Sequence, residues 1–326
     1  MKCYHFIRTM KILFADVNHA VLHETLLKEG FECDLFWDRP VDELLEILPR
    51  YEGLVIRSRF KLTKEILQKC ERLRCIGRVG AGMENIDLAY AAKNNIVCVC
   101  APEGNRDAVG EHALGMLLML FNRLKIADTE VRKGIWVRAG NRGVELKGKT
   151  VGIIGFGNTG SAFAKKLSGM DCRILVYDKY KSGYAPPYVK ETSLAEIHAE
   201  ADVLSLHLPL NEETRYFVNA EFLSAFKKNI YVINTSRGPC LNTTDLVSGL
   251  KNGKVLGACL DVLEYEAVSF EKLDTSPEPL QYLIGSDNVI LSPHIAGWTH
   301  ESNYKMSKAI AEKMTEVLKA GNQSKS

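Results

Sequence analysis

The chain has 326 residues, 46% of them hydrophobic and 25% charged, with a formal net charge of +2. That length suits about two domains with sizeable cores, and the near-neutral balance gives no electrostatic case for nucleic acid or an anionic membrane surface. The nine cysteines are odd in number and scattered through apolar runs, which favours reduced thiols in a cytoplasmic protein over a disulfide framework. Cys98 and Cys100 share one face of a strand pattern, but no second pair at ligand spacing accompanies them, so no metal site is expected. The longest apolar run, 113–121, is far shorter than a membrane span. The first residues have neither the apolar core nor the cleavage site of a signal peptide, and 1–9 read as an upstream extension.

Strand and helix patterns alternate along the chain. Residues 11–15 read as a strand, 19–29 as a helix ended by Gly30, 31–36 as a strand, 41–48 as a helix and 53–57 as a strand. Thr63 caps a helix ending near Cys70. A strand at 75–78, a helix over 88–94 and a strand over 97–100 complete a first α/β unit. Pro102-Glu-Gly-Asn105 breaks the pattern and reads as a crossover. Residues 107–127 form one helix, apolar nearly all round, with a small-residue stripe at Ala108, Gly110, Ala113 and Gly115. A helix without a polar face must be buried. It is expected to serve both domain and protomer packing, which predicts a homodimer. From Lys149 a second unit runs through six strands, at 150–154, 174–177, 203–206, 231–234, 256–260 and 289–291. An amphipathic helix over about 302–319 is expected to return to the first domain, and 322–326 to fray.

The strand at 150–154 leads directly into Gly155-x-Gly157-x-x-Gly160, the context a dinucleotide-binding loop requires. Gly155 permits the sharp turn, Gly157 has no side chain to hold a pyrophosphate away, and Gly160 lets the next helix pack close. The helix N-terminus then attracts the phosphates. The next strand ends in Asp178, 23 residues after Gly155. An acid there accepts from the ribose hydroxyls and repels a 2′-phosphate, which favours NAD, although Lys179 and Lys181 offer a phosphate some relief.

Three later strand ends carry unusual residues, and ligands of open α/β sheets bind beyond the carboxyl ends of strands. They are Asn234-Thr-Ser-Arg-Gly238, Leu260-Asp-Val-Leu-Glu-Tyr-Glu266 and Leu291-Ser-Pro-His-Ile-Ala-Gly297. Reducing a 2-oxo acid needs a cation for the carboxylate, a proton donor for the forming hydroxyl and a group that keeps the donor charged. Arg237, His294 and Glu266 are of those types. Taken singly, each also reads as a salt-bridge arginine, a loop histidine or a solvated acid.

With these motifs together, the chain resembles the D-isomer-specific 2-hydroxyacid dehydrogenases, and within them the phosphoglycerate dehydrogenases, from Ile12 to about Leu318. Further matches are Gly53-Leu-Val-Ile-Arg-Ser-Arg59, Gly77-Arg-Val-Gly-Ala-Gly-Met-Glu-Asn-Ile-Asp87 and Leu206-His-Leu-Pro-Leu210. The resemblance implies an α/β fold of two doubly wound domains. A Rossmann NAD-binding domain, 104–298, would be inserted in a flavodoxin-like substrate domain made of 10–103 and 299–326. It implies a catalytic trio of Arg237, Glu266 and His294. Around NAD it implies Gly155, Gly157, Asn158, Thr159, Gly160, Asp178, Leu208, Thr235, Ser236, Asp261 and Gly297. For the substrate it implies Arg57, Arg78, Gly80, Ala81 and Gly82. Apart from the resemblance, Arg59 or Lys61 offers a further cation for a phosphate, and Arg57 and Arg59 also read as solvated residues at a strand end.

The expected activity is interconversion of a D-2-hydroxy acid and its 2-oxo acid. The favoured substrate is 3-phosphoglycerate, in serine biosynthesis, with glyoxylate or hydroxypyruvate reduction as the alternative. A corepressor-like NAD-sensing protein is the non-enzymatic alternative. Departures from the family pattern are Ala267 where a proline is usual, Pro239-Cys-Leu-Asn242 after the motif arginine, and a longer, polar segment at 268–286. Ala267 loosens the loop and makes Glu264 a rival for Glu266. The family's regulatory domain is not expected.

Overall fold

A computed structural model describes residues 9–267 and 273–323. The extension at 1–8 and residues 268–272 of the polar segment lie outside the described residues. The chain forms two compact units. One combines Met1–Asn105 with Thr299–Ser326, and the other is the intervening Arg106–Trp298.

The first unit begins with β1 (Lys11–Phe14), α1 (Ala20–Lys28), β2 (Glu32–Leu35), α2 (Val41–Ile47) and β3 (Gly53–Ile56). It continues with α3 (Lys64–Leu67), β4 (Cys75–Arg78), α4 (Leu88–Lys93) and β5 (Val97–Cys100). All strands are parallel, in the order β2-β1-β3-β4-β5 of a flavodoxin-like sheet. The central strands β1, β3 and β4 are almost wholly buried, and the edges β2 and β5 are not. This is the burial expected where helices cover both faces of a parallel sheet.

The second unit contains α5 (Arg106–Phe121), α6 (Leu124–Arg132), β6 (Thr150–Ile154), α7 (Asn158–Leu167), β7 (Arg173–Tyr177), β8 (Lys190–Glu191) and α8 (Leu194–Glu200). After these come β9 (Val203–Leu206), α9 (Ala220–Ser224), β10 (Ile230–Asn234), α10 (Thr243–Lys251), β11 (Val255–Leu260), α11 (Glu278–Gly285) and β12 (Val289–Leu291). Its parallel sheet runs β8-β7-β6-β9-β10-β11-β12, the doubly wound dinucleotide-binding order with one strand added. Alternate strand residues feed two cores. Val232 joins Leu223, Leu246 and Leu280 on one face, and Ile233 joins Ala113, Leu117 and Phe163 on the other.

The final helix, α12 (His300–Gln323), belongs to the first unit. Gly77 seats it: a Cβ there would lie 2.3 Å from Met314 Sδ and 2.8 Å from Ile310 Cγ2.

Two expectations change. The sheet of the second unit has a seventh strand, β8, only two residues long. Lys190–Glu191 has no apolar alternation, and pairing with Leu175 and Val176 creates the strand. The single helix expected over 107–127 is two helices. Arg123 adopts φ +51°, and the amide of Val144 donates to Phe121 O at 2.9 Å, closing the end of α5. Burial therefore holds for α5 and not for α6, which buries none of its side chains. The small-residue stripe also has a local explanation. A Cβ on Gly110 would lie 3.0 Å from the backbone of Ala162 and Phe163 in α7, whereas Gly115 faces open space. Gly110 thus serves packing inside the unit and does not by itself argue for a partner.

Candidate active site

The carboxyl ends of the strands in the second unit carry, immediately after each strand, Gly155 (β6), Asp178 (β7), His207 (β9), Thr235 (β10), Asp261 (β11) and Ser292 (β12). Because the strands are parallel, these positions lie along one edge of the sheet.

At the glycine loop, Gly155 has φ +90°, and a Cβ would lie 2.3 Å from His207 O. A Cβ on Gly160 would meet Gly155 O at 2.1 Å, so both positions exclude any other residue. Gly157, at the N-cap of α7, has nothing within 4 Å of where its Cβ would stand. The tight loop is thus open on the side where a phosphate approaches, next to the first N–H groups of α7, which have no acceptor within the helix. Asn158 and Thr159 form its first turn. Asp178 is fixed by two amides: Oδ2 accepts from Phe156 N at 2.8 Å and Oδ1 from Tyr180 N at 3.0 Å. Each oxygen retains a lone pair for a ribose hydroxyl. Lys179 pairs with Glu213 at 2.9 Å and Lys181 donates to Phe156 O at 2.7 Å, so both lysines are already engaged. Leu208 lies beside Gly155, and Thr235 Oγ1 is buried with no hydrogen-bond partner among the described residues. An unsatisfied buried hydroxyl costs stability unless a ligand completes it. The open glycine cradle, the fixed Asp178 and the orphaned Thr235 hydroxyl all fit NAD.

His294 and Glu266 meet in the same unit: His294 Nδ1 lies 2.7 Å from Glu266 Oε2. The other carboxylate oxygen, Oε1, accepts from Leu263 N. Glu264 points elsewhere, accepting from Thr243 N at the start of α10. Of the two rival acids, Glu266 is therefore the one on the imidazole. The loop is held without a proline at 267, because Glu266 bridges Leu273 and Asp274 N donates to Tyr265 O at 3.1 Å.

Arg237 stands on a turn tied by buried Asn234, whose Oδ1 accepts from Ser236 N at 3.0 Å and Ser236 Oγ at 2.7 Å, and whose Nδ2 donates to Arg237 O at 3.0 Å. Gly238 brings this turn against the loop of Glu266, since a Cβ would lie 2.1 Å from the Leu263 carbonyl. His294 itself has φ +56°, a left-handed conformation costing a non-glycine residue about 1–2 kcal/mol. Asp261 holds it there. Asp261 O accepts from His294 N at 2.8 Å, Oδ1 from Ile295 N at 2.8 Å and Oδ2 from Ala296 N at 2.8 Å. The sequence placed Asp261 along the cofactor track; its carboxylate is engaged with the loop that carries His294 and leads to Gly297.

Two histidines escaped the sequence reading. His207 was visible only as a motif letter. It is buried, with Nε2 2.9 Å from Ser205 Oγ and Nδ1 3.2 Å from Thr159 Oγ1, and burial holds its pKa down at about 3. His112, on α5, reaches Ser292, 180 residues away in sequence, and no local signal announces it.

In the first unit, Arg57 follows β3, Arg78 ends β4, and Gly80, Ala81 and Gly82 follow β4. Arg57 N donates to Asp16 Oδ2 at 2.6 Å. Burial pushes the Asp16 carboxyl up and the Arg57 guanidinium down from their ordinary values. Arg59 corrects an expectation. Its guanidinium donates to the carbonyls of Ala15, Phe36 and Arg39, which ties strand ends together and removes it as a phosphate ligand.

Residues 114–296 match the family described as D-isomer specific 2-hydroxyacid dehydrogenase, NAD binding domain. Over 95% of its length the chain is 33% identical to D-3-phosphoglycerate dehydrogenase of Archaeoglobus fulgidus, and it spans only 58% of that relative. It is 35% identical to glyoxylate reductase of Thermofilum pendens, an alignment covering 90% of this chain and 88% of the other. Among solved structures, D-lactate dehydrogenase of Aquifex aeolicus, complexed with NAD and lactic acid, has a TM-score of 0.79 at 30% identity, covering 96% of each chain.

Proposed function

This chain belongs to the D-isomer-specific 2-hydroxyacid dehydrogenase family, and from that premise we propose that it interconverts a D-2-hydroxy acid and its 2-oxo acid with NAD. The observation that carries the reading is the 2.7 Å pair of His294 Nδ1 and Glu266 Oε2, in the same unit as the glycine loop and Asp178. With Nδ1 committed to Glu266, Nε2 of His294 is the atom that gives a proton to the C2 oxygen in reduction and takes it in oxidation. Glu266 accepts at Nδ1 and so fixes the orientation of the ring. Arg237 grips the substrate carboxylate and polarises the C2 oxygen. NAD, when bound, supplies the hydride exchange at C2.

The test is oxidation of NADH by purified protein across a panel of 2-oxo acids. Turnover abolished by His294→Ala is expected. If no acid is turned over, or if His294→Ala is as active as the parent, the reading fails.

For the substrate we favour 3-phosphoglycerate and 3-phosphohydroxypyruvate, in serine biosynthesis. Arg57 and Arg78 are assigned to the phosphate, and the backbone of Gly80, Ala81 and Gly82 to the carboxylate. Support comes from two arginines at adjacent strand ends, paired through Ile56 and Arg78. One observation favours a smaller acid such as glyoxylate or hydroxypyruvate: the Asp16 carboxyl, an acidic group, stands on the backbone N–H of Arg57, the arginine assigned to the phosphate. Arg57→Ala decides between them. A phosphate ligand predicts a KM rise for phosphohydroxypyruvate much larger than for hydroxypyruvate, and an equal rise removes the assignment.

We also place the protein in the cytoplasm as a homodimer. None of the eight described cysteines is in a disulfide, which suits a reducing compartment, and no helix among the described residues is long and apolar enough to cross a membrane. Helix α6 and the following turn expose Leu124, Val131, Ile135, Val137 and Trp136, the last 78% exposed. An apolar strip of this kind suits a second copy of the chain.

A further inference from the structure

The proton-transfer reading leaves His112 without a role, yet its surroundings are specific. His112 Nε2 lies 2.9 Å from Ser292 Oγ and 3.6 Å from Asp261 Oδ1. Ser292 Oγ lies 2.6 Å from the same Asp261 oxygen. Asp261 is 1% exposed, and among the described residues the basic side chain ion-paired with it is His112. The proton positions follow from these distances. An ionised carboxylate only accepts, so the Ser292 hydroxyl donates its proton to Asp261. The Ser292 oxygen then has lone pairs to offer, and His112 donates to it through Nε2–H. The carboxylate so oriented receives the amides of Ile295 and Ala296, and its own backbone carbonyl receives the amide of His294.

The geometry points to His112 as a positioning residue for His294, acting through the Ser292 hydroxyl and the Asp261 carboxylate. A buried aspartate holding three amides of one loop, two on its carboxylate and one on its backbone carbonyl, is a rigid anchor only while its own orientation is fixed. The loop needs such an anchor because His294 sits at φ +56° and relaxes out of line when released. Helix α5 supplies the fixed end. It is packed along α7 through Gly110, and His112 projects from it two residues later. The proposal rests on His294 as the proton donor, but its structural half is separable from that reading.

The test uses the full chain with His112→Phe, which keeps bulk and removes the donor, and His112→Gln, which retains an N–H donor. Two readouts are taken: amide hydrogen exchange of 294–296, and steady-state constants for 2-oxo acid reduction. Loss of the hydrogen bond to the Ser292 hydroxyl predicts exchange about three- to tenfold faster in His112→Phe, with kcat lowered by a similar factor and the KM for NADH nearly unchanged. His112→Gln is expected to restore both. Exchange at parent rates in His112→Phe overturns the proposal, as does the same acceleration in the Gln variant, which would mark a bulk effect. If the parent reduces no 2-oxo acid, the dehydrogenase reading fails while the exchange comparison still decides whether His112 anchors the loop.

Discussion

His207 links the strand β9 to the first turn of α7, and its burial makes a quantitative prediction about acid. Between the ordinary imidazole value of 6.5 and its folded value of about 3, the unfolded chain binds a proton that the folded chain refuses. Stability from the neutral ring is therefore present above about pH 6.5 and lost as pH falls towards 3. At 1.36 kcal/mol per unit, the full span is about 5 kcal/mol, and the part falling between pH 7 and pH 5 is about 2 kcal/mol. The perturbation is His207→Asn, which removes the titrating group. The assay is urea unfolding at both pH values in a Trp37→Phe background, where the remaining fluorescence comes from Trp136 and Trp298 in the second unit. The parent should lose about 2 kcal/mol more than the variant on acidification. Equal losses, or a His207 ring resonance that titrates between pH 5 and 8, would refute the argument.

Three further outcomes are expected. Glu266→Gln should lower kcat about 100-fold or more, within the range for a disabled acid–base pair, whereas Glu264→Gln should leave kcat nearly unchanged and cost about 0.3–1 kcal/mol in thermal unfolding through the negative charge lost at the N-terminus of α10. Gly160→Ala should destabilise by about 1–3 kcal/mol and weaken NADH binding, read as a smaller NADH-induced rise in Tm; a parent-like rise would show that the helix can shift away. Trp136→Asp should convert a dimer to a monomer by light scattering, and a parent that is already monomeric removes the assigned interface.

What was legible in the sequence is local or steric. Gly155 and Gly160 announce themselves because no other residue fits against His207 O and Gly155 O, and Asp178 because the strand repeat fixes its distance from them. What was illegible depends on residues far apart in the chain. The ring of His112 gains meaning only when folding brings Ser292 to it. Arg59 looked like a phosphate ligand because its sequence context is that of a strand end, and only the fold shows three carbonyls already claiming its guanidinium. The break at Arg123 escaped notice because it is made by Val144, more than twenty residues later, on the carbonyl of Phe121. The choice between Glu264 and Glu266 was a question of direction, which two acids of one loop do not reveal in a string of letters.

The seat of α12 carries a consequence for biosynthesis. A ribosome delivers all of the second unit before it delivers Met306, Ile310 and Met314, which close the apolar face formed by Ile12, Val55, Cys75 and Val79. The second unit has its full set of strands and can form while still attached to the ribosome, since domains generally fold as they emerge. The first unit, although made first, waits with its sheet half covered and the groove at Gly77 bare. Nascent-chain stalling before residue 299 should therefore yield a folded second unit joined to a sticky, chaperone-binding first hundred residues, an order of maturation opposite to the order of synthesis.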